Sequence, residues 1–317
     1  MRKLGENALR NCNSIKSITL SHELTEIGEN AFCNCKNLET VVIPETVTKI
    51  DPYAFADSGL KSITLLDGRL TEIGNGAFYS CRNLENIVIP NSVTKIGRYA
   101  FARSGLKSIT LLDGRLTEIE EEAFYNCNKL ENVVVPETVT KIGPRAFARS
   151  GLKSITLLDG RLTEIGKYAF SSCYNLESVV IPNSVTKIGP GAFIESGLKS
   201  IILPNEMLEI GEKAFEFCSK LETIVIPETV TKISPYVFWR SGLKSITLLD
   251  GRLTEIGGDA FRDCRNLETI IIPESVIEIG PEAFAYSGLK SITLSYGVKI
   301  REKAFHNCRN LVVEYRN

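Results

Sequence analysis

The stretch SGLKSITLLDGRLTEI occupies Ser58–Ile73 and returns letter for letter at Ser104–Ile119, Ser150–Ile165 and Ser241–Ile256. Recurrence at a fixed period constrains the fold more than anything else in the chain. Each copy is then one supersecondary unit that cannot bury its own apolar face and must stack on its neighbours. The copies start 46, 46 and 91 residues apart, and 91 is 46 plus 45. A decayed copy one residue shorter, SGLKSIILPNEMLEI at Ser196–Ile210, fills that gap. A second phrase lies between the copies, as in CRNLENIVIPNSVTKIG at Cys81–Gly97. It shares the same skeleton, so the true unit is about 23 residues, and fourteen units run from Leu4 to the one opening at Ile300. No linker or composition shift interrupts them, which predicts a single solenoid domain over residues 1–317 with incomplete or atypical first and last units.

Each unit has the same anatomy. LETVVI or LKSITL is short, alternating and β-branched, as a half-buried strand should be. Pro44 and its equivalents, or the Asp67-Gly68 dipeptide, end that strand. VTKI or LTEI gives a second brief extended segment, and the AF segment predicts a turn or a short helical bend.

The skeleton Ile73, Gly74, Ala77, Phe78, Cys81, Leu84, Ile87, Ile89, Pro90 and Val93 recurs in almost every unit. It resembles the BspA-like class of leucine-rich repeats, found on bacterial and protist cell surfaces. The resemblance implies a curved, right-handed stack with a parallel β-sheet on the concave face and short strands, turns or short helices on the convex side. It also implies an extracellular or cell-surface, non-enzymatic role in adhesion or protein binding, with an extracellular-matrix or host surface protein as partner.

Composition excludes other classes. Lys+Arg total 37 against 38 Asp+Glu, a formal net charge of −1, whereas nucleic acid or anionic membrane partners select a basic surplus. No apolar run approaches the roughly 20 residues of a membrane span, so no membrane insertion is expected. The N-terminal MRKLGENALRNC has no apolar signal core and enters directly into repeat sequence, so a trimmed or engineered chain is expected.

Nine cysteines raise the question of disulfides or metal. Cys35, Cys81, Cys127, Cys173, Cys218 and Cys264 form one column on every second rung, with Ser58, Ser104, Ser150, Ser196, Ser241 and Ser287 on the rungs between. Same-column cysteines should lie about 10 Å apart, too far for a disulfide. They are expected as reduced, small buried hydrophobes. Cys12 and Cys35 sit on adjacent rungs, so a bridge there is conceivable, with reduced packing favoured. Cys33 shares a column with Ala56, Tyr79, Ala102 and Trp239, too varied for a core, which suggests an exposed thiol. Paired Cys-x-x-Cys spacing is absent and the only histidines, His22 and His306, stand at opposite ends, so neither metal nor any other cofactor is expected.

Two charge columns alternate in sign. Lys16, Glu39, Lys61, Glu85, Lys107, Glu131, Lys153, Glu177 and their successors place each lysine between two glutamates. A second column, Glu26, Lys49, Glu72 onward, runs in opposite phase and breaks where Glu278 follows Glu255. These ladders read first as register control and second as a docking surface. Beside them runs an outward stripe that includes Val88, Thr110, Val134, Thr156 and Val180. With Glu85, Lys107, Glu131, Lys153 and Glu177 it forms the candidate partner-binding surface, although any β-branched strand face looks much the same. Tyr53, Tyr99, Tyr168 and Tyr236, with the single Trp239, form the runner-up aromatic site.

No catalytic constellation appears. Every carboxylate candidate is repeated along the array, GxSxG is absent, and two remote histidines leave no base for a serine or cysteine nucleophile. A partner-binding module is therefore expected, and the alternative is a structural spacer or consensus-engineered scaffold. Verbatim rungs fit both recent duplication and deliberate engineering. The pattern departs at Ile202–Leu208, at Val237–Arg240, and at the last strand, where Glu314 and Arg316 are expected in place of inward Ile and Leu. An unpaired terminal strand edge is a template for another chain. End-to-end self-association is therefore expected, and sedimentation should show mass rising with concentration; a monomer throughout would count against it.

Overall fold

The computed structural model describes residues 2–316, which group into two compact units, one ending at Leu162 and one beginning at Thr163. Each unit is a β-solenoid, and the rungs of both number about fourteen. Every rung carries a two-residue strand on one side, such as Lys95–Ile96, and a strand of three to five residues on another, such as Asn86–Ile89. Neighbouring strands pair in parallel: Asn86–Ile89, Ser108–Leu111, Asn132–Val135 and Ser154–Leu157 are consecutive neighbours in one sheet of the first unit. In the second unit Thr223–Ile226 pairs with Ser245–Leu248, and Ser178–Val180 with Ser200–Ile202.

The two phrases of the sequence are two rung types of equal length. Where the even rung has Cys81-Arg82-Asn83-Leu84, the odd rung has only Ser104-Gly105-Leu106. The odd rung regains its residue at the far turn, where LLDGRLTE answers IPNSVTK. Gly105 is required by close approach: a Cβ there would lie 2.0 Å from the Arg82 carbonyl oxygen, and at Gly59 1.9 Å from that of Lys36.

Among the described residues there is no helix, so the AF segment is a run of turns rather than a helical bend. Its amides alternate in direction. Ala77, Tyr79 and Cys81 donate three residues back, to Gly74, Gly76 and Phe78. Gly76, Phe78 and Ser80 instead donate to Arg98, Ala100 and Ala102 of the next rung at 2.7–2.9 Å. A helix would turn every donor inward along its own axis and leave adjacent rungs unjoined. The alternation needs left-handed backbone twice per rung, as at Gly76 (φ +60°) and Ser80 (φ +55°). For residues other than glycine that conformation costs about 1–2 kcal/mol each. The rung-to-rung bonds and the core must offset it.

That core is led by phenylalanine. Phe32, Phe55, Phe78, Phe101, Phe124 and Phe147 of the first unit are fully buried, and consecutive rings stack 4.9–5.4 Å apart within 9° of parallel. In the second unit the stack runs from Phe170 to the half-buried Phe305, with centroids 5.0–5.6 Å apart and rings within 17° of parallel. Each such contact adds about 0.5–1.5 kcal/mol beyond its buried area.

The cysteine column is buried as expected, and no disulfide forms, Cys12 and Cys35 included. The thiols nevertheless do more than fill space. Cys81 Sγ donates to the Phe55 carbonyl at 3.1 Å and lies 3.4 Å from Ser58 Oγ. Cys127, Cys218 and Cys264 repeat this with Ser104, Ser196 and Ser241. A thiol has one proton; with it on the carbonyl, the serine hydroxyl donates to sulfur. The Cys33 column also differs from expectation. Ala56, Ala102 and Ala148 in it are buried and Cys33 is half-buried, because small side chains there let the turn pack down.

Two outcomes follow. Phe101→Ala should cost about 3–5 kcal/mol, read as a lowered urea midpoint. Burial pushes the thiols of Cys81, Cys218 and Cys264 up to about 12 and that of Cys127 to about 11. In the folded protein at pH 8 a thiol reagent should therefore modify only the half-buried Cys12, Cys33 and Cys308, and reach the six column cysteines after unfolding. Mass spectrometry of the labelled protein counts them.

Candidate functional site

The longer strands set the candidate surface. Burial alternates along all of them but the last, so in Asn86–Ile89 the two isoleucines face the core while Asn86 and Val88 face out. Ser108–Leu111, Asn132–Val135 and Ser154–Leu157 repeat the pattern. Register pairs Val88 with Thr110 and Val134 with Thr156. The first unit thus presents a stripe in which valines about half exposed (Val88 51%, Val134 50%) alternate with threonines. Val180 and Glu177 occupy the same positions on the second unit, where Val180 pairs with the equally exposed Ile202. Ser108 and Ser154 hydroxyls donate to Asn86 and Asn132 at 2.6 and 2.7 Å along the edge of this stripe.

The charge column lies beside it, resolved into discrete pairs rather than a continuous ladder. Lys107 reaches Glu85 at 2.7 Å and Lys153 reaches Glu131 at 2.8 Å; Lys61 and Glu39, and Lys199 and Glu177, do the same. In each case the lysine takes the glutamate of the preceding rung. The Lys107 hydrogen bond holds the Glu85 carboxyl below the usual carboxylate range, and Lys199 does so for Glu177. In the second column the like-charged neighbours Glu255 and Glu278 are in register, and each has its own cation: Lys232 at 2.6 Å and Arg301 at 2.6 Å. Among the described residues no group of His, Cys, Asp or Glu gathers as metal ligands would.

The runner-up aromatic site brings few of its rings into contact. Tyr53, Tyr99, Tyr168 and Tyr236 share the left-handed turn position, with φ between +55° and +58°. The Tyr53 ring lies over Gly76 and the Tyr168 ring over Gly191, where any Cβ would overlap them. Tyr236 faces Asp259, whose charge pushes its hydroxyl's pKa up. Only Tyr236 and Trp239 come together, with centroids 5.7 Å apart, and Phe217 joins them 5.3 Å from Trp239. Column reading missed Phe217 because its position is otherwise held by asparagine, serine and charged residues, with Tyr286 the one other aromatic among the described rungs. Arg240 covers the Trp239 ring at 5.3 Å. The last strand differs from expectation too: Val312–Arg316 pairs Val313 with Ile292 and Glu314 with Thr293, so Glu314 takes an outward position. The strand starts four residues after Cys308, one fewer than the five from Cys264 to Thr269, which shifts the register by one.

Comparison with known proteins agrees with this architecture. The family described as BspA type leucine rich repeat region (6 copies) matches over residues 2–116, 105–221 and 186–312. No curated protein matches the sequence. Among solved structures, a leucine-rich repeat protein from Bacteroides ovatus is 27% identical with a TM-score of 0.78, over 100% of this chain and 82% of the other. One from Eubacterium ventriosum is 27% identical with a TM-score of 0.53, over 87% and 84%. The pneumococcal vaccine antigen PcpA, at 22% identity and a TM-score of 0.58 over 95% and 78%, shares the fold. Family match, rung period and strand register together establish that this chain belongs to the BspA-type leucine-rich repeat family.

Proposed function

We propose that the chain is a non-enzymatic adhesion or protein-binding module of cell-surface type, and that its ligand is a protein meeting the exposed face of the longer strands. The observation that carries this reading is the stripe of half-exposed valines and threonines, Val88, Thr110, Val134 and Thr156, held rigidly in register. Protein ligands use such apolar, pre-ordered surfaces because little conformational entropy is lost on docking. The flanking pairs Glu85 with Lys107 and Glu131 with Lys153 neutralise one another. They set a polar rim without a net field, so the partner is selected by shape and apolar contact rather than by charge. The fold's comparisons support a surface role only through family membership.

The same internally satisfied charges, with near-verbatim rungs, support a second reading: a structural spacer with no partner of its own. Immobilised protein should capture a ligand from extracellular-matrix and serum proteins. A variant with Val88→Glu, Val134→Glu and Val180→Glu should fold normally, since all three side chains are outward, and should lose that capture. No capture by the parent would favour the spacer, and equal capture by both would move the site elsewhere.

A further inference from the structure

One corner of the first unit carries cations that no carboxylate answers. The corner lies between the left-handed turn and the longer strand, where the odd rung is one residue short. Dents lie over the Ser-Gly steps at Gly105 and Gly288. At Gly105 the dent is a cavity of about 360 Å³ lined by Arg82, Arg103, Lys129, Asn126 and Asn128. Among the described residues none of the three cations lies within ion-pair distance of a carboxylate; Lys129 acts on Glu85 only from farther off. Arg103 is thrown outward by its left-handed backbone (φ +59°), and its guanidinium sits 5.9 Å from the centre of the Tyr79 ring. Two rungs past Arg103, Arg149 occupies the equivalent turn position, also left-handed (φ +58°).

Two of the equivalent corners carry acids against their cations. Lys36 lies 3.9 Å from Asp57. In the second unit the dent at Gly288 is lined by Arg265, Lys290 and Arg309, but Asp263 takes Arg265 at 3.0 Å and Glu268 takes Lys290 at 2.6 Å. Asp263 also faces Arg240 at 3.6 Å. Since the chain as a whole carries a net charge of −1, the positive field at Gly105 is local.

We propose that the dent at Gly105 is a binding site for an anionic polysaccharide, holding its sulfate groups on Arg82, Arg103 and Lys129. Planar guanidinium forks match tetrahedral oxyanions with two parallel hydrogen bonds. The amides of Asn126 and Asn128 supply both donors and acceptors for sugar hydroxyls. The lining has no exposed apolar side chain, so it lacks the anchors by which an acidic peptide would dock. Arg149 stands about 10 Å beyond Arg103 along the stack, a spacing suited to charges repeated along a linear chain rather than to one small ion. This site is separate from the valine stripe and stands whether or not that surface binds protein.

The test uses dextran sulfate, uncharged dextran and poly-L-glutamate as probes of the whole chain at low salt. Dextran sulfate should bind, dextran should not, and poly-L-glutamate should bind more weakly. The variant Arg82→Ser, Arg103→Gly, Lys129→Ser keeps the left-handed turn and should lose at least about tenfold in affinity. A control of equal charge, Arg69→Ser, Arg115→Ser, Arg161→Ser on the far turns, should stay within about twofold. Equal weakening of both variants would reduce the effect to net charge and overturn the site. So would failure of the parent to bind, equal binding of dextran, or poly-L-glutamate bound as tightly, which would mark an acidic-protein surface instead.

Discussion

The stacking of one rung on the next at the spacing of a β-ladder governs everything else in this molecule. Phenylalanine rings can lie parallel about 5 Å apart only because the backbones carrying them are in register at that distance. The alternating amides of the turn segment enforce it from one side, and the two sets of parallel strands enforce it from the others. Since every rung offers its neighbour the same face, stability is a sum of nearest-neighbour contacts. Left-handed conformations at tyrosine, arginine and glutamate, which would be anomalies elsewhere, are here the local cost of directing every second amide across the stack.

The two-rung alternation distributes chemistry around the solenoid. Cysteine on even rungs and serine on odd rungs alternate in one column, and the Cys81 thiol donates to the Phe55 carbonyl that the Ser58 amide also uses. Lysine on odd rungs and glutamate on even rungs form discrete pairs that leave the strand face close to neutral. The glycine that shortens the odd rung opens a dent at the corner. What a dent becomes depends on the side chains around it: an acid at Asp263 closes the charge balance in one place, and its absence around Gly105 leaves a concentrated positive corner in another.

Much of this was legible in the residues alone. A 23-residue period, a two-residue alternation in each strand and a fixed Phe column specify a stack of parallel rungs, because no other arrangement buries those positions together. The outward stripe through Val88 and Val134 and the cysteine spacing followed from the same count. Three features did not. A column count cannot tell a helical bend from a run of turns, because Ala-Phe suits both; the need to bond the next rung decided it. Nor can it say which of two flanking glutamates a lysine will take. It also scored the Cys33 column as surface from its variety, when alanines at Ala56 and Ala102 let that side close inward.

The sequence by itself therefore determined the architecture and the set of side chains each column displays, since repetition converts spacing in the chain directly into spacing in space. Only the tertiary structure decided which displayed groups satisfy one another. The tyrosines, aligned by count, turn out to cover glycines or face acids singly, because left-handed backbone aims each ring at its own neighbour. Arg82, Arg103 and Lys129 stand 21 and 26 residues apart at unlike positions of their units, yet they converge on one cavity. Their meeting is a property of the folded corner, where a missing residue brings different columns together, and no periodicity in the chain records it.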